Sequence, residues 1–317
     1  MSPRHRTESR TTVPTKTFGV DLVTFYHPGF WGVDTEADIQ RIGRVDPDRI
    51  WATIMDALVA AGVSAMEVTF APADVETAIR AFGSAKEFKA ELARRGLRLA
   101  SGFWSPDDWN AGAAALADQA AAHASFLLDA GADTIVVGLP MRETTDALPA
   151  RFIDLMFAQR LADQLHYIGD ATRRLGVTAA IHTEAHSVFC QPRDIDLLLS
   201  LTDPNYVWFC PDTAHITLSG GDPIAIGARH RERIAIAHWK DASGPMSKDI
   251  VIDASIHERH REYMRPLGSG TVDWAAWAQL MSSTRGSDLV LLELDACENP
   301  VAELQAAIAH LGTLGVE

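Results

Sequence analysis

The chain has 317 residues, 47% of them hydrophobic and 22% charged, a balance that excludes a disordered or fibrous protein and supports one large core. Its 42 acidic and 28 basic side chains give a formal charge of −14, and without a long Lys/Arg cluster that field repels a nucleic-acid backbone. No apolar run approaches the roughly 20 residues needed to span a bilayer and no signal-peptide core opens the chain, so neither a membrane nor a nucleic acid is expected as a partner. Cys190, Cys210 and Cys297 are too few and too scattered for a disulfide framework or a thiolate zinc site, and read as small core residues in a reducing cytoplasm.

Residues 1–16 carry Arg, Thr, Ser and Pro without periodicity and are expected to form a disordered leader. From residue 17 to 317, expected to be one domain, short apolar β-type runs alternate with longer helical stretches. Strand Phe18–Phe25 precedes helix Pro47–Ala61; Ala65–Phe70 precedes Ser84–Arg95; Leu97–Gly102 precedes Ala111–Ala130; and Thr134–Gly138 precedes Arg151–Leu175. The second half repeats the pattern, with Thr178–Thr183 and Pro192–Ser200, Val207–Pro211 and Pro223–His230, Ile234–His238 and Trp274–Ser283, then Leu289–Leu294 and Pro300–Leu311. Pro at or near the first turn marks several helix starts, and Gly62, Gly96, Gly131 and Gly176 fall where left-handed C-caps belong.

Eight β/α units with near-continuous apolar strands predict a closed (β/α)8 TIM barrel. The rival, a doubly wound open sheet, would place a Gly-rich phosphate loop after its first strand. Here that position reads Thr24-Phe25-Tyr26-His27-Pro28-Gly29-Phe30-Trp31-Gly32, aromatic and bulky. Residues 242–272, rich in charge and containing His257 and His260, form an insertion after the seventh strand that reads as a lid.

In such a barrel, functional groups gather where strands end. The fifth strand ends in His182-Thr183-Glu184, the sixth runs into Asp212-Thr213-Ala214-His215, the seventh ends His238-Trp239-Lys240-Asp241, and the eighth carries Glu293-Leu294-Asp295. Glu184, Asp212, His238 and Glu293 thus stand at one height on four consecutive strands, and three neighbouring buried carboxylates demand a cation. Oxygen-dominated ligation with one imidazole suits one divalent ion, Mn2+ first, with Mg2+, Co2+ or Fe2+ as alternatives.

With Asp-Thr-x-His after the sixth strand and His-x-Lys-Asp after the seventh, the chain resembles the xylose-isomerase-like superfamily of sugar isomerases, epimerases and dehydratases. The resemblance is densest from Gly176 to Gly270 and implies the same four ligands. The order Thr202-Asp203-Pro204, Asp212 to Ile216, Gly220-Gly221-Asp222, His238 to Asp241, followed by the turn Pro266 to Asp273, is similar to inosose dehydratases. Those enzymes tend to carry a His-rich segment where this chain has His182-Thr183-Glu184. Phe25-Tyr26-His27 and His182-x-Glu184 resemble instead the catalytic subunits of 3-oxo-C-glycoside deglycosidases, which implies a small second subunit; homo-oligomers are common in the superfamily.

These resemblances imply a metal-dependent lyase that takes a proton beside the ketone of an oxidised sugar or sugar conjugate, with 3-oxo-C-glycoside deglycosylation by β-elimination as the leading expectation. Inosose dehydration and ketose 3-epimerisation or sugar isomerisation are the alternatives; a non-catalytic sugar-binding barrel is a further one. His182, two positions before Glu184 on one strand, faces the same way and is expected either to act as the base or to orient Glu184. Glu184 and Glu293 join it as catalytic groups, His215 as proton shuttle or hydroxyl holder. Lys240 is expected to stabilise an oxyanion or to pair with Asp241 or Glu293. Tyr26, His27, Trp31, Glu67 and Trp104 are expected to bind substrate, the aromatics by stacking on sugar faces.

Overall fold

In a computed structural model, which describes residues 16–142 and 151–317, the elements follow the expected alternation. The first half runs β1 (Thr17–Asp21), α1 (Pro28–Trp31), α2 (Glu36–Val45), α3 (Pro47–Ala61), β2 (Ala65–Val68), α4 (Val75–Phe82), α5 (Ala85–Arg94), β3 (Arg98–Trp104), α6 (Ala113–Ala130) and β4 (Thr134–Val137). The second runs α7 (Leu155–Arg174), β5 (Thr178–His182), α8 (Pro192–Leu201), β6 (Val207–Cys210), α9 (Thr213–Leu218), α10 (Pro223–Arg229) and β7 (His238–Trp239). It ends with β8 (Asp241–Ala242), α11 (Ile256–Arg261), β9 (Met264–Arg265), α12 (Trp274–Met281), β10 (Leu289–Leu292) and α13 (Pro300–Thr313). The expected leader lies outside the described residues, apart from Lys16.

Local chemistry sets the helix ends. Pro47, Pro192, Pro223 and Pro300 occupy the first turns of α3, α8, α10 and α13, where the missing N–H has no intrahelical partner to lose. Gly62, Gly96, Gly131 and Gly176 all have φ between +72° and +99°. α3 shows why each helix docks: Ile50, Trp51, Ile54, Met55 and Leu58 recur at three- and four-residue spacing and are all fully buried. Each such side chain contributes about 1.5–3 kcal/mol through the apolar area it removes from water.

Eight parallel strands pair in the order β6-β5-β4-β3-β2-β1-β10-β7. The ends of that ladder meet through parallel bridges between Phe209 and Ile234 and between Asp212 and His238, with Ala235 donating to the Phe209 carbonyl and His238 to that of Pro211, both at 3.0 Å. The ring therefore closes. The predicted strand Ile234–His238 is regular only at His238–Trp239; its earlier part makes single bridges. Val136, Ala180, Cys210, Ile236 and Leu291 fill the barrel interior, and a larger apolar layer separates the strands from the helices. All three cysteines are buried and free. Among the described residues no helix is long and apolar enough to cross a membrane.

Residues 242–272 fold into an antiparallel pair, β8 with β9, and the helix α11. Met246, Ile252, Ile256 and Met264 of this stretch pack with Ala185 from the loop after β5 and with Ala214 and Leu218 of α9. Asp241 anchors its far end: Oδ2 accepts from the Gly268 and Gly270 amides and from Trp274 Nε1, and Oδ1 from Ala242 and Val272. The turn passes so close that a Cβ on Gly270 would lie 2.2 Å from Asp241 Oδ1. Replacing one carboxylate oxygen by an amide group leaves buried donors unmatched, at about 1–3 kcal/mol for each group. Asp241→Asn is accordingly expected to lose about 2–4 kcal/mol of stability and Gly270→Ala to act in the same direction; unchanged urea midpoints in both would show that this anchor carries no weight.

Candidate active site

The side chains that meet at the carboxyl ends of the strands are positioned by the backbone contacts that close the barrel. Asp212 is the N-cap of α9: Oδ1 accepts from the His215 amide at 2.8 Å, and its own amide donates to Thr183 Oγ1. Thr213, next in the motif, donates through Oγ1 to the Lys240 carbonyl and accepts from the Lys240 amide. Asp-Thr-x-His thus locks the start of α9 to β7. Asp212 Oδ2 is left over, fully buried and without a hydrogen-bond partner.

His238 points the same way. Its Nε2 lies 2.9 Å from Glu67 Oε1, and Glu67 Oε2 accepts from the Ser101 hydroxyl at 2.5 Å. A shift of register between Met66 and Glu67 brings Ser101 opposite Glu67. With Nε2 against Glu67, Nδ1 faces two carboxylates, Glu293 Oε2 at 2.6 Å and Asp212 Oδ2 at 3.8 Å. None of these three atoms has a partner in hydrogen-bond alignment. In the protein alone, burial disfavours charge on His238, but Cys210, Glu67 and Glu293 outweigh it and hold the imidazole well above its ordinary pKa. Asp212 and Glu293 move oppositely: burial would raise both, yet His215 and Lys240 bring Asp212 to about 2, and Lys240 and His238 bring Glu293 to about 2. Three desolvated, unpartnered atoms, two anionic oxygens and an imidazole nitrogen, are a donor set that fits a hard or borderline divalent cation.

Asp21 lies beside Glu67 on the neighbouring strand. Burial and the charges of Glu293 and Glu67 push Asp21 well above the ordinary carboxylate range, whereas His238, by charge and hydrogen bond, holds Glu67 below it against the effect of burial. Asp21 is thus the carboxyl of the pair that holds a proton more readily, and Glu67 the one whose anion faces His238.

Lys240 is 1% exposed, and its Nζ reaches Glu293 Oε1 and Asp295 Oδ1, both at 2.7 Å. The Asp241 alternative does not form, because that carboxylate serves the turn. The anions of Asp295 and Glu293 overcome burial and keep the ammonium charged. Lys240 Nζ also lies 3.1 Å from His215 Nε2. His215 Nδ1 accepts from the Ala185 amide, so Nε2 carries the ring proton and can direct it to Glu184 Oε2, 3.3 Å away. Burial lowers His215 to about 3, so the ring is neutral.

The structure brings ligand atoms of His182, Asp212 and His238 within 4.8 Å of one another, and Glu293 Oε2 joins them at His238 Nδ1. Glu184 connects to them through His182, whose Nδ1 is 3.9 Å from Glu184 Oε2 and whose Nε2 is 3.7 Å from Asp212 Oδ2. The other Glu184 oxygen faces the insertion, 3.2 Å from His260 Nδ1 and 3.6 Å from His257 Nδ1. Burial would raise Glu184, but the surrounding imidazoles of His215, His257 and His260 hold it well below its ordinary value.

A cavity of about 240 Å3 opens over these groups. Glu184, His215, His238, Lys240, Glu293 and Asp295 form its polar wall; Val23, Phe70, Phe103, Leu139 and Met141 form an apolar one. His182, expected as a base in contact with substrate, is not on the wall: it is 2% exposed. The five expected substrate-binding residues are not on it either. Tyr26 is buried, its hydroxyl donating to the Phe70 carbonyl and accepting from the Ala73 amide. His27 caps α1 through Gly29, and Trp31 donates from Nε1 to the Phe25 carbonyl. Trp104 packs against the main core, and Glu67 is fully enclosed beside His238. Sequence reasoning missed His257 and Arg261, which α11 brings to the cavity. The signal was present in the histidines noted at 257 and 260: three positions apart on a helix, they share a face.

A family model described as a xylose isomerase-like TIM barrel matches residues 55–314. Among curated proteins, an inosose dehydratase of Lacticaseibacillus casei is 35% identical over 127 residues, 38% of this chain and 42% of that protein. One of Geobacillus thermodenitrificans strain NG80-2 is 28% identical over 191 residues, 58% of this chain and 62% of that protein. The chain thus spans about half the length of the curated relatives it matches. Among solved structures, the probable 3-DHS dehydratase from Bacillus anthracis superposes with a TM-score of 0.66 at 15% identity, over 93% of this chain and 98% of that one. The IOLI protein with a binding zinc atom gives 0.66 at 13% identity over 95% and 96%, and an L-ribulose 3-epimerase 0.63 at 15% over 95% and 94%. At these identities the structural likeness is one of fold.

Because Glu67 fixes the ring that presents Nδ1, Glu67→Gln is expected to weaken Mn2+ binding about 10–100-fold, read by competition with a chelator. Unchanged affinity would show that Glu67 does not orient His238 toward an ion.

Proposed function

The chain belongs to the xylose isomerase-like TIM barrel family, and we propose that it is a divalent-metal-dependent lyase acting on a polyhydroxylated ketone, first of all a dehydratase of an inosose or similar oxidised sugar. The observation that carries this reading is the set of three buried, unpartnered atoms, Asp212 Oδ2, His238 Nδ1 and Glu293 Oε2, beside a buried, charged Lys240 on a cavity wall. These three would hold the ion, Mn2+ by preference, while Glu184, linked to them only through His182, is left to act on the substrate. When bound, the ion supplies Lewis acidity toward the substrate ketone. The dehydratase names of the curated relatives support the choice over a non-catalytic sugar-binding barrel.

The chain's own groups divide the work. Lys240, held between Glu293 and Asp295, offers a fixed positive charge to the oxygen that becomes negative as the neighbouring C–H bond breaks. Glu293 has one oxygen on Lys240 and the other toward His238, and Asp295 is occupied by Lys240. Glu184 is the wall carboxylate with an oxygen left to receive the proton, and His215 Nε2–H steadies it. The electron pair of the C–H bond becomes the enolate double bond; the carbonyl re-forms as the β C–O bond breaks, and the proton taken from carbon leaves with that oxygen as water.

A second reading, cleavage of a 3-oxo-C-glycoside with or without a small partner subunit, uses the same proton abstraction and differs in the group expelled. The apolar wall of Val23, Phe70, Phe103, Leu139 and Met141 favours it, because a flat aglycone would bury area there. Incubation of the Mn2+-loaded protein with an inosose, with a 3-oxo-C-glycoside and with a ketohexose in D2O separates the outcomes. Elimination product is expected from the inosose, and release of the aglycone would select the second reading. Epimerised ketohexose without any elimination would overturn the lyase proposal.

A further inference from the structure

Glu184 has a second face, and it meets the insertion rather than the barrel. The hydrogen-bond network there fixes its tautomers one after another. The Ser247 carbonyl can only accept, so His186 Nε2, 3.1 Å away, carries the proton and His186 Nδ1 is an acceptor. His260 Nε2 lies 3.0 Å from that Nδ1 and therefore donates to it. His260 Nδ1 is then left with a lone pair directed at Glu184 Oε1, 3.2 Å away. Both atoms are buried without a hydrogen-bond partner, and His260 is fully enclosed. A lone pair against a carboxylate oxygen in a dry environment is repulsive unless something positive lies between them.

His257 supplies a third donor. Its Nδ1 is 3.6 Å from the same Glu184 oxygen, and ligand atoms of Glu184, His257 and His260 all lie within 4.8 Å of one another. Two ligands of a zinc ion at about 2.0–2.1 Å each are separated by about 3–3.4 Å, the range into which the His260 to Glu184 distance falls. His186 has the role of an outer partner that holds a ligating ring by its other nitrogen. His186 is also one of two described non-glycine residues with positive φ, at 63°, a conformation that surrounding contacts must hold in place.

We propose that Glu184 Oε1, His257 Nδ1 and His260 Nδ1 form a second divalent-metal site, distinct from the one at Asp212, His238 and Glu293, which clamps α11 to the end of β5. Two imidazoles and one carboxylate suit Zn2+ or Co2+, with a fourth position open to water or substrate. Arg261, on the same helix, lines the cavity, so an ion here would hold the mouth of the site in register with its floor. The inference goes beyond the lyase reading and depends on it only for the identity of the first site.

The test is metal stoichiometry. Protein stripped with a chelator is titrated with Zn2+ against a chromophoric competitor, and in parallel with Co2+ followed by visible absorption. Wild type is expected to take up two equivalents, and His260→Ala and Glu293→Ala one each. His257→Ala, whose side chain is 56% exposed and so a mild change to the fold, is expected to weaken only one of the two equivalents, by about 10-fold or more. A wild-type protein that saturates at one equivalent, or uptake equal in wild type, His257→Ala and His260→Ala, would overturn the second site. A protein that eliminates nothing from the three ketones yet binds two equivalents supports this inference while refuting the lyase reading.

Discussion

Uncompensated charge away from water is the constraint around which this molecule is organised. Asp212, Glu67 and His238 are 0–1% exposed, and Glu293 stands against them with one oxygen on Lys240 and the other on His238. Removing an ion from water costs several kcal/mol after relaxation, so each anion here must be answered. Lys240 answers one oxygen of Glu293 and Asp295; the His215 amide answers one oxygen of Asp212. What remains is a small convergent remainder on Asp212, His238 and Glu293, for which the proposed ion is the natural counter-charge.

The same contacts that build this remainder also build the fold. Asp212 and His238 form one of the bridges that close the ring between the sixth and seventh strands, so loss of closure and loss of the site are one event. The His-x-Lys-Asp run divides its labour by the alternation of a strand: His238 and Lys240 turn inward to the cavity, while Asp241 turns away to gather the amides of the 268–272 turn. That turn ends the insertion whose histidines reach back to Glu184. Barrel, site and insertion are therefore joined by short polar links rather than by apolar packing alone.

Much of the fold was readable from sequence because it rests on local rules. Pro at helix starts and Gly at helix ends bracket α3 to the residue, and the apolar strand runs locate all eight barrel strands. Short or polar elements escaped: α9 is six residues that begin inside the Asp-Thr-x-His motif, and α11 is a polar single-sided turn within a charged stretch. Of the residues expected to hold the metal, His238 faces both Asp212 and Glu293, because strand ends share a height, which periodicity can reveal. Glu67 and the aromatic loop were misplaced because sequence tells which residue types stand near a rim and not which way they turn. A register shift carries Glu67 beneath His238, and backbone carbonyls at Phe25 and Phe70 draw Trp31 and Tyr26 into the wall. His182 shares a strand face with the site, yet it is 2% exposed and off the cavity wall. No one-dimensional pattern shows that burial.

Three side chains from three consecutive barrel strands are proposed to share one cation. Anomalous diffraction from crystals grown with Mn2+, recorded on both sides of the manganese absorption edge, locates that ion. A peak is expected within about 2.0–2.3 Å of Asp212 Oδ2, His238 Nδ1 and Glu293 Oε2. A peak elsewhere on the molecule with those three atoms unligated, or none at saturating Mn2+, would contradict it.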